Sequence, residues 1–221
     1  MKTIRVWDLP LRLFHWMLVG LIVTALITQK IGGNAMVWHF RCGYAALALV
    51  AFRVLWGLAG TRYARFSSFI YSPAHIISYL RSLQSGSKQR YTGHNPMGGL
   101  SIIALLAIVA VQAVSGLFSN DDIASEGPLV RFISKALSDR ISAFHADVSG
   151  NLIYALIGLH LAAIAYYYFC KKENLVRPML SGDKEVDYDA PLADDSWKMR
   201  ALALLLLAVS AGVVAYVVNL G

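Results

Sequence analysis

The chain has 221 residues, 57% of them hydrophobic and only 15% charged, a balance outside the usual range of water-soluble domains. The net charge is +7. In a soluble chain that excess points to nucleic acid, but here the basic residues flank long apolar blocks, so topology and anionic lipid account for them and a nucleic-acid partner is excluded.

Five segments are long enough to cross about 30 Å of hydrocarbon, at residues 13–30, 36–58, 98–118, 146–169 and 199–219. They predict an all-α integral membrane bundle, one domain over residues 1–221. The first span follows Asp8 and Pro10, and no small-residue cleavage site ends a short apolar core. It reads as a retained span and not as a cleaved signal. Between the second and third spans, residues 72–83 open with Ser72-Pro73 and carry Ile76, Ile77, Tyr79, Leu80 and Leu83 as an apolar stripe. That predicts a helix lying on the membrane surface. Before the fourth span, residues 128–141 begin at Pro128 and set Leu129, Val130, Ile133, Leu137 and Ile141 at helical spacing. They predict a second surface helix, packed over the bundle. Residues 183–195 are acidic and turn-rich and read as a solvated loop. The last span has no charge between residues 201 and 218.

Lysine and arginine set the direction. With the N-terminus in the cytoplasm, Lys2, Arg5, Arg12, Arg53, Arg62, Arg65, Arg81, Lys88, Arg90, Lys171, Lys172, Arg177, Lys184, Lys198 and Arg200 fall inside. Lys30, Arg41, Arg131, Lys135 and Arg140 fall outside. The bias of fifteen to five predicts a cytoplasmic N-terminus and a periplasmic C-terminus.

Ligating side chains inside a span are functional candidates. Four of the six histidines sort by depth. His15 lies near the inner end of the first span and His39 near the outer end of the second. His145 and His160 belong to the fourth. Their separation of fifteen residues corresponds to about 22 Å of helix, with the two side chains about 60° apart on one face. His145 is thus level with His39, and His160 with His15. A haem between imidazoles of facing helices needs such pairs, and closing both axial positions suits electron transfer. A single histidine in a span also serves as an ordinary helix-end or packing residue, and the matching of four is what favours ligation. One tetrahedral zinc cannot use ligands about 22 Å apart. His75 belongs to the surface helix, and His94 precedes Asn95-Pro96, a cap and first residue for the third span.

Arginines near these layers are candidates for neutralising haem propionates: Arg12 three residues before His15, Arg41 two after His39, and Arg53 about 40° from the His39 face. Snorkelling to the lipid surface is the alternative for Arg53. Gly20 and Gly43, about one turn after His15 and His39, leave room for a flat ring or for close helix packing. Gln112, Asp147 and Asn151 are membrane-depth polar residues that suit helix packing or a haem edge, with a quinone pocket as the alternative. Cys42 and Cys170 fall at opposite ends of the bundle, too far apart for a disulfide. Neither lies in a Cys-x-x-Cys-His sequence, which excludes covalent haem c.

The motifs Val6-Trp7-Asp8-Leu9-Pro10, Arg12-Leu13-Phe14-His15-Trp16, His39, Arg53-Val54-Leu55-Trp56-Gly57 with Gly60, Tyr63-Ala64-Arg65-Phe66, Gly93-His94-Asn95-Pro96-Met97-Gly98-Gly99, and the pair His145 and His160 together resemble the bacterial cytochrome b-561 family. That family includes the cytochrome b subunits of nickel–iron hydrogenases. The likeness runs to about residue 170. It implies four core helices with two non-covalent haems b, ligated by His15, His39, His145 and His160, to which the fifth span is an addition. It also implies electron transfer between the quinone pool and a redox partner protein in the bacterial inner membrane, the partner being a periplasmic cytochrome or a dehydrogenase or hydrogenase subunit. A membrane anchor for such a hydrogenase is the second reading. A proton or solute transporter using intramembrane histidines is the reading from another class, although neither internal repeats nor broken midplane helices favour it.

Overall fold

The computed structural model describes residues 2–84, 90–122 and 125–221. Lys88, one of the basic residues assigned above to the inner side, lies outside them. The elements in chain order are β1 (Lys2–Arg5), α1 (Leu9–Ile31), α2 (Met36–Ala59), α3 (Pro73–Gln84), α4 (Pro96–Gly116), α5 (Lys135–Ala143), α6 (Gly150–Phe169), α7 (Val176–Ser181), β2 (Asp183–Val186) and α8 (Trp197–Val218). Among the described residues, five helical segments are long and apolar enough to cross a membrane. They coincide with the five expected spans.

Local chemistry sets where the helices start. Asp8 caps α1, its Oδ1 accepting from the Leu11 N–H at 2.7 Å, with Pro10 in the first turn. The helix therefore begins four residues before the apolar run does. Asn95 caps α4 in the same way, accepting from Gly98 N–H at 2.8 Å, with Pro96 following. Such caps satisfy N–H groups that have no partner within the helix.

The helix α2 is central. Half of its span is buried, against less than a fifth for each of the others. It packs on α1, α4 and α8, while α6 packs on α4. The end of the bundle that carries the two strands is called here the sheet end, and the opposite end the far end.

Two connections differ from the sequence expectation. Residues 128–141 do not form a separate surface helix. A 3-10 turn at Val130–Phe132 leads into α5, which runs through a π-helical segment, Phe144–Ser149, straight into α6. The buried side of α5 is its serine side. Ser138 is fully buried and donates to the Phe118 carbonyl at 2.8 Å, whereas Leu137 is largely exposed. Hydrogen bonding to the turn after α4 outweighs burial of the apolar stripe, because at this site the alternative for Leu137 is contact with lipid or its headgroups.

Residues 183–195 are likewise not a free solvated loop. β2 pairs antiparallel with β1, with Arg5 opposite Asp183. The strap that follows is tied down by Tyr63 OH to the Pro191 carbonyl at 2.7 Å and by Ala193 N–H to the Arg5 carbonyl at 2.8 Å. Several of its acidic side chains meet a base from elsewhere in the chain: Asp183 and Asp195 meet Arg5 at 2.6 and 2.8 Å, and Asp187 meets Arg90 at 2.7 Å. Burial pushes the Asp195 carboxyl upward in pKa, but hydrogen bonds from Arg200 and Leu9 N–H and the charge of Arg5 outweigh it and hold it below the usual range. The surface helix α3 forms as expected. Tyr79 is buried, while Ile77, Leu80 and Leu83 are left exposed.

Gly182 joins these pieces. Its φ of +90° ends α7, and its carbonyl accepts from Val6 N–H at 2.9 Å and Trp7 N–H at 3.1 Å. A Cβ there would lie 2.7 Å from the Trp7 carbonyl oxygen. Gly182→Ala is therefore expected to destabilise the sheet end by about 1–3 kcal/mol. The loss would be read as a lower melting temperature in detergent and faster proteolysis within residues 183–195. An unchanged melt and cleavage pattern would contradict it.

Candidate haem site

At the far end, His39 and His145 face one another. Their ring centres are 6.2 Å apart and their planes nearly perpendicular, at 84°. The His39 Nδ1–H donates to the Ala25 carbonyl at 2.9 Å. His145 Nδ1 meets Ser115 Oγ and its Nε2 meets Gln112 Nε2, each at 3.0 Å. The rings lie on a cavity of ≈ 540 Å³ whose walls come from α1, α2, α4, the π segment and α6, among them Leu21, Gly43, Val109 and Ile153. A Cβ on Gly43 would meet nothing within 4 Å, and one on Gly116 would lie 3.1 Å from His145 Cε1. Asp147 and Asn151 also line this cavity.

The π segment changes how His145 is phased against His160. A π turn absorbs about one extra residue. The two histidines are thus separated by about 14 α-helical steps in angle, and the offset becomes about 40° in the opposite sense. Both still share one face. Nearer the sheet end, His15 on α1 and His160 on α6 lie within electrostatic reach of each other. His15 Nδ1 is buried without a hydrogen-bond partner, and a Cβ on Gly20 would meet nothing within 4 Å.

The three arginines fall in different places. Arg53 is almost wholly buried, at 2% exposure, which removes the snorkelling alternative. Its guanidinium lies over the rings of Phe66 and Phe69, at 5.0 and 5.8 Å, and its NH1 has no hydrogen-bond partner. Arg12 is turned towards α7, donating to the Leu180 carbonyl at 2.5 Å, with its Nε buried and unpartnered. Arg41 is exposed, over the Trp38 ring at 5.1 Å, and is not part of the cavity wall. The basic residue on that wall is Lys30.

Sequence reasoning passed over two groups. Ser115 and Ser149 support the far-end pair, and the signal for them is a hydroxyl three residues after Gln112 and four after His145 inside apolar spans. Asp8, recognised only as part of a motif, is 1% exposed. Besides capping α1 it accepts from Thr61 Oγ1 at 2.5 Å and from Trp56 Nε1 at 3.3 Å. Burial raises its pKa, against the hydrogen bonds from Thr61, Leu11 and Trp56. Among the described residues, no three His, Cys, Asp or Glu side chains gather as a metal-ion site.

Five apolar spans with two histidines facing one another at one end suit a membrane cytochrome. The family model for prokaryotic cytochrome b561 matches residues 6–182, and the chain belongs to that family. It is a multi-pass membrane protein, and the b-type family implies haem b. The chain is similar to the probable Ni/Fe-hydrogenase B-type cytochrome subunits of Azotobacter vinelandii (26% identical) and of Azotobacter chroococcum mcd 1 (27% identical). Each match covers 52% of this chain and 58% of the relative, so the chain spans little more than half the length of these proteins. No solved structure matches it.

The spacing of the far-end rings suits a haem, and binding would require Gln112 to release His145 Nε2. Iron held about 2 Å from each of two imidazole nitrogens sets the ring centres about 6 Å apart, close to the observed 6.2 Å. Gly43 leaves its wall of the cavity open, and Gly116 makes room for the His145 ring.

His94 gives a prediction outside the spans. Its ring is packed between Trp7 and Phe69, with centroids at 4.5 and 5.0 Å. Burial, together with the charges of Arg53 and Lys184, pushes its pKa from 6.5 down to about 3. A depressed histidine pKa means that the unfolded chain takes up the proton first, so stability falls as pH drops below 6.5. Between pH 7.5 and 5 the loss should be about 1–2 kcal/mol, and His94→Gln should flatten it. Thermal melts at the two pH values check this. Equal pH sensitivity in the variant would refute the assignment.

Proposed function

We propose that the protein carries electrons across the bacterial inner membrane through two bis-histidine haems b, between the quinone pool and a redox partner protein. His39 with His145 would hold one haem at the far end, and His15 with His160 the other towards the sheet end. The observation that carries this reading is the facing of His39 and His145 at 6.2 Å across a glycine-walled cavity. Bound haem b supplies a one-electron iron couple, and with both axial positions taken oxygen binding is disfavoured.

The chain's own residues do the rest. The two pairs fix the ring planes and separate the sites by on the order of 20 Å along the membrane normal. The apolar walls exclude water. Arg53, a buried cation without a hydrogen-bonded partner for its NH1, would neutralise a propionate of the sheet-end haem, with Arg12, three residues before His15, as a second candidate. Arg41, exposed over Trp38, is less suited to that role. Asp147 and Asn151 at the far-end cavity suit a haem edge.

The names of the relatives favour one further reading, in which the chain is the membrane-anchoring cytochrome subunit of a hydrogenase or dehydrogenase. That reading changes the partner and leaves the haem sites as they are. A transporter is the reading from another class, and a colourless purified protein would favour it.

The purified protein should show a reduced b-type α band. His15→Ala and His160→Ala should each remove about half of the haem, and His39→Ala and His145→Ala the other half. Unchanged haem content in the variants of either pair would sink that pair's assignment.

The charge bias supports a cytoplasmic sheet end, with the N-terminus inside and the C-terminus in the periplasm. Reporter fusions at both ends decide this. A C-terminal fusion active only in the cytoplasm would overturn it.

A further inference from the structure

The environment of His145 carries an inference about how its site is tuned, and it rests on the reading of His39 and His145 as haem ligands. We infer that Ser115 is a positioning residue: its hydroxyl holds the His145 imidazole in the tautomer that presents Nε2 to iron, and polarises the ring so that the far-end haem has the lower reduction potential of the two.

The direction of each hydrogen bond fixes the tautomer. Ser115 is buried in the last turn of α4, and its hydroxyl donates to the Gln112 carbonyl at 3.0 Å. A carbonyl can only accept, so the serine proton is committed and its lone pairs face His145 Nδ1 at 3.0 Å. With that proton given to the carbonyl, Nδ1 carries the ring proton. The other side agrees. Ser149 donates to Gln112 Oε1, which turns the Gln112 amide nitrogen towards His145 Nε2, where it donates at 3.0 Å. Nε2 thus holds a lone pair. Ser149 is set there by the π segment, on which its side chain approaches the Phe144 and His145 carbonyls at 3.3 and 3.2 Å. In the arrangement described, Gln112 covers the lone pair that iron would take.

Across the cavity His39 is held in the same tautomer, its Nδ1–H given to the Ala25 carbonyl. The sheet-end layer differs, since His15 Nδ1 is buried with no such partner. A hydrogen bond from Nδ1–H to an oxygen makes the ring a stronger donor through Nε2. A stronger donor stabilises ferric over ferrous iron and lowers the potential. Two hydrogen-bonded ligands at the far end, against at least one unsupported ligand in the other layer, give the two sites an inequality that depends on Ser115.

The test is a redox titration of the full-length, haem-loaded protein, followed at the α band, with the ferric low-spin resonance recorded in parallel. His145→Ala first identifies which midpoint belongs to the far end. In Ser115→Ala both haems should be retained, and that midpoint alone should rise. The expected change in its reduction equilibrium is three- to tenfold, or ~28–59 mV for a one-electron couple. Ser115→Thr, which keeps the hydroxyl, should restore it. Ser115→Cys keeps the volume but accepts weakly, and should show the same upward shift if the alanine variant does not assemble. A far-end midpoint unmoved in the assembled variants, while His145→Ala does remove that haem, overturns the role of Ser115. If His145→Ala leaves both haems bound, the ligand reading itself has failed, which is a separate result.

Discussion

The buried carboxylate of Asp8 is the interaction on which the arrangement of the bundle depends. It caps α1 through Leu11 N–H, takes the Thr61 hydroxyl and the Trp56 indole from the end of α2, and lies within electrostatic reach of Arg53. An unpaired carboxylate at 1% exposure would cost several kcal/mol. Here hydrogen bonds from three residues and a nearby cation offset that cost, and they do so only when α1 and α2 are held at one relative height. That height sets the depth of His15 against Arg53 and of His39 against the start of α1's last turns. The same carboxylate thereby fixes the frame into which α4 and α6 dock.

A second constraint is the scarcity of polar partners inside apolar helices. Polar groups at depth are satisfied chiefly by other side chains or by backbone carbonyls, with His15 Nδ1 and Arg53 NH1 as exceptions. At the far end this requirement organises a chain from Ser149 through Gln112 to His145 and Ser115, back to the Gln112 carbonyl. The π segment is part of the same solution, because its wider turn lets Ser149 reach the Gln112 side chain while His145 faces His39. π turns inside α-helices recur at functional sites for this kind of reason.

The sheet end follows different rules. There the chain has basic side chains to spare, and the acidic residues of 183–195 are drawn onto them. Arg5, Arg90 and Arg200 bind Asp183, Asp187 and Asp195. Most of these pairs are partly exposed and individually weak. Their effect comes from acting together with the β1–β2 pairing and the backbone bonds to Gly182, which tether α8 and the strap, segments beyond the family match, to the four-helix core.

Much of the layout of the candidate site was legible in the sequence. Span positions follow from apolar length, because lipid demands about twenty apolar residues per crossing. The depths of the four histidines follow from helix rise, and their common faces from helix angle. The cap at Asn95 follows from residue type and position. Other features were decided only by tertiary structure. The strap of 183–195 looked solvated because its partners, Arg5 and Arg90, lie far away in the chain. The serine face of α5 was hidden because apolar periodicity marks a buried face only when water, and not lipid, is the alternative. The environment of Arg53 depends on Phe66 and Phe69 folding back over α2. The proton on His145 depends on which way Ser115 and Gln112 point, and directions between helices are fixed by packing, which helical periodicity does not encode.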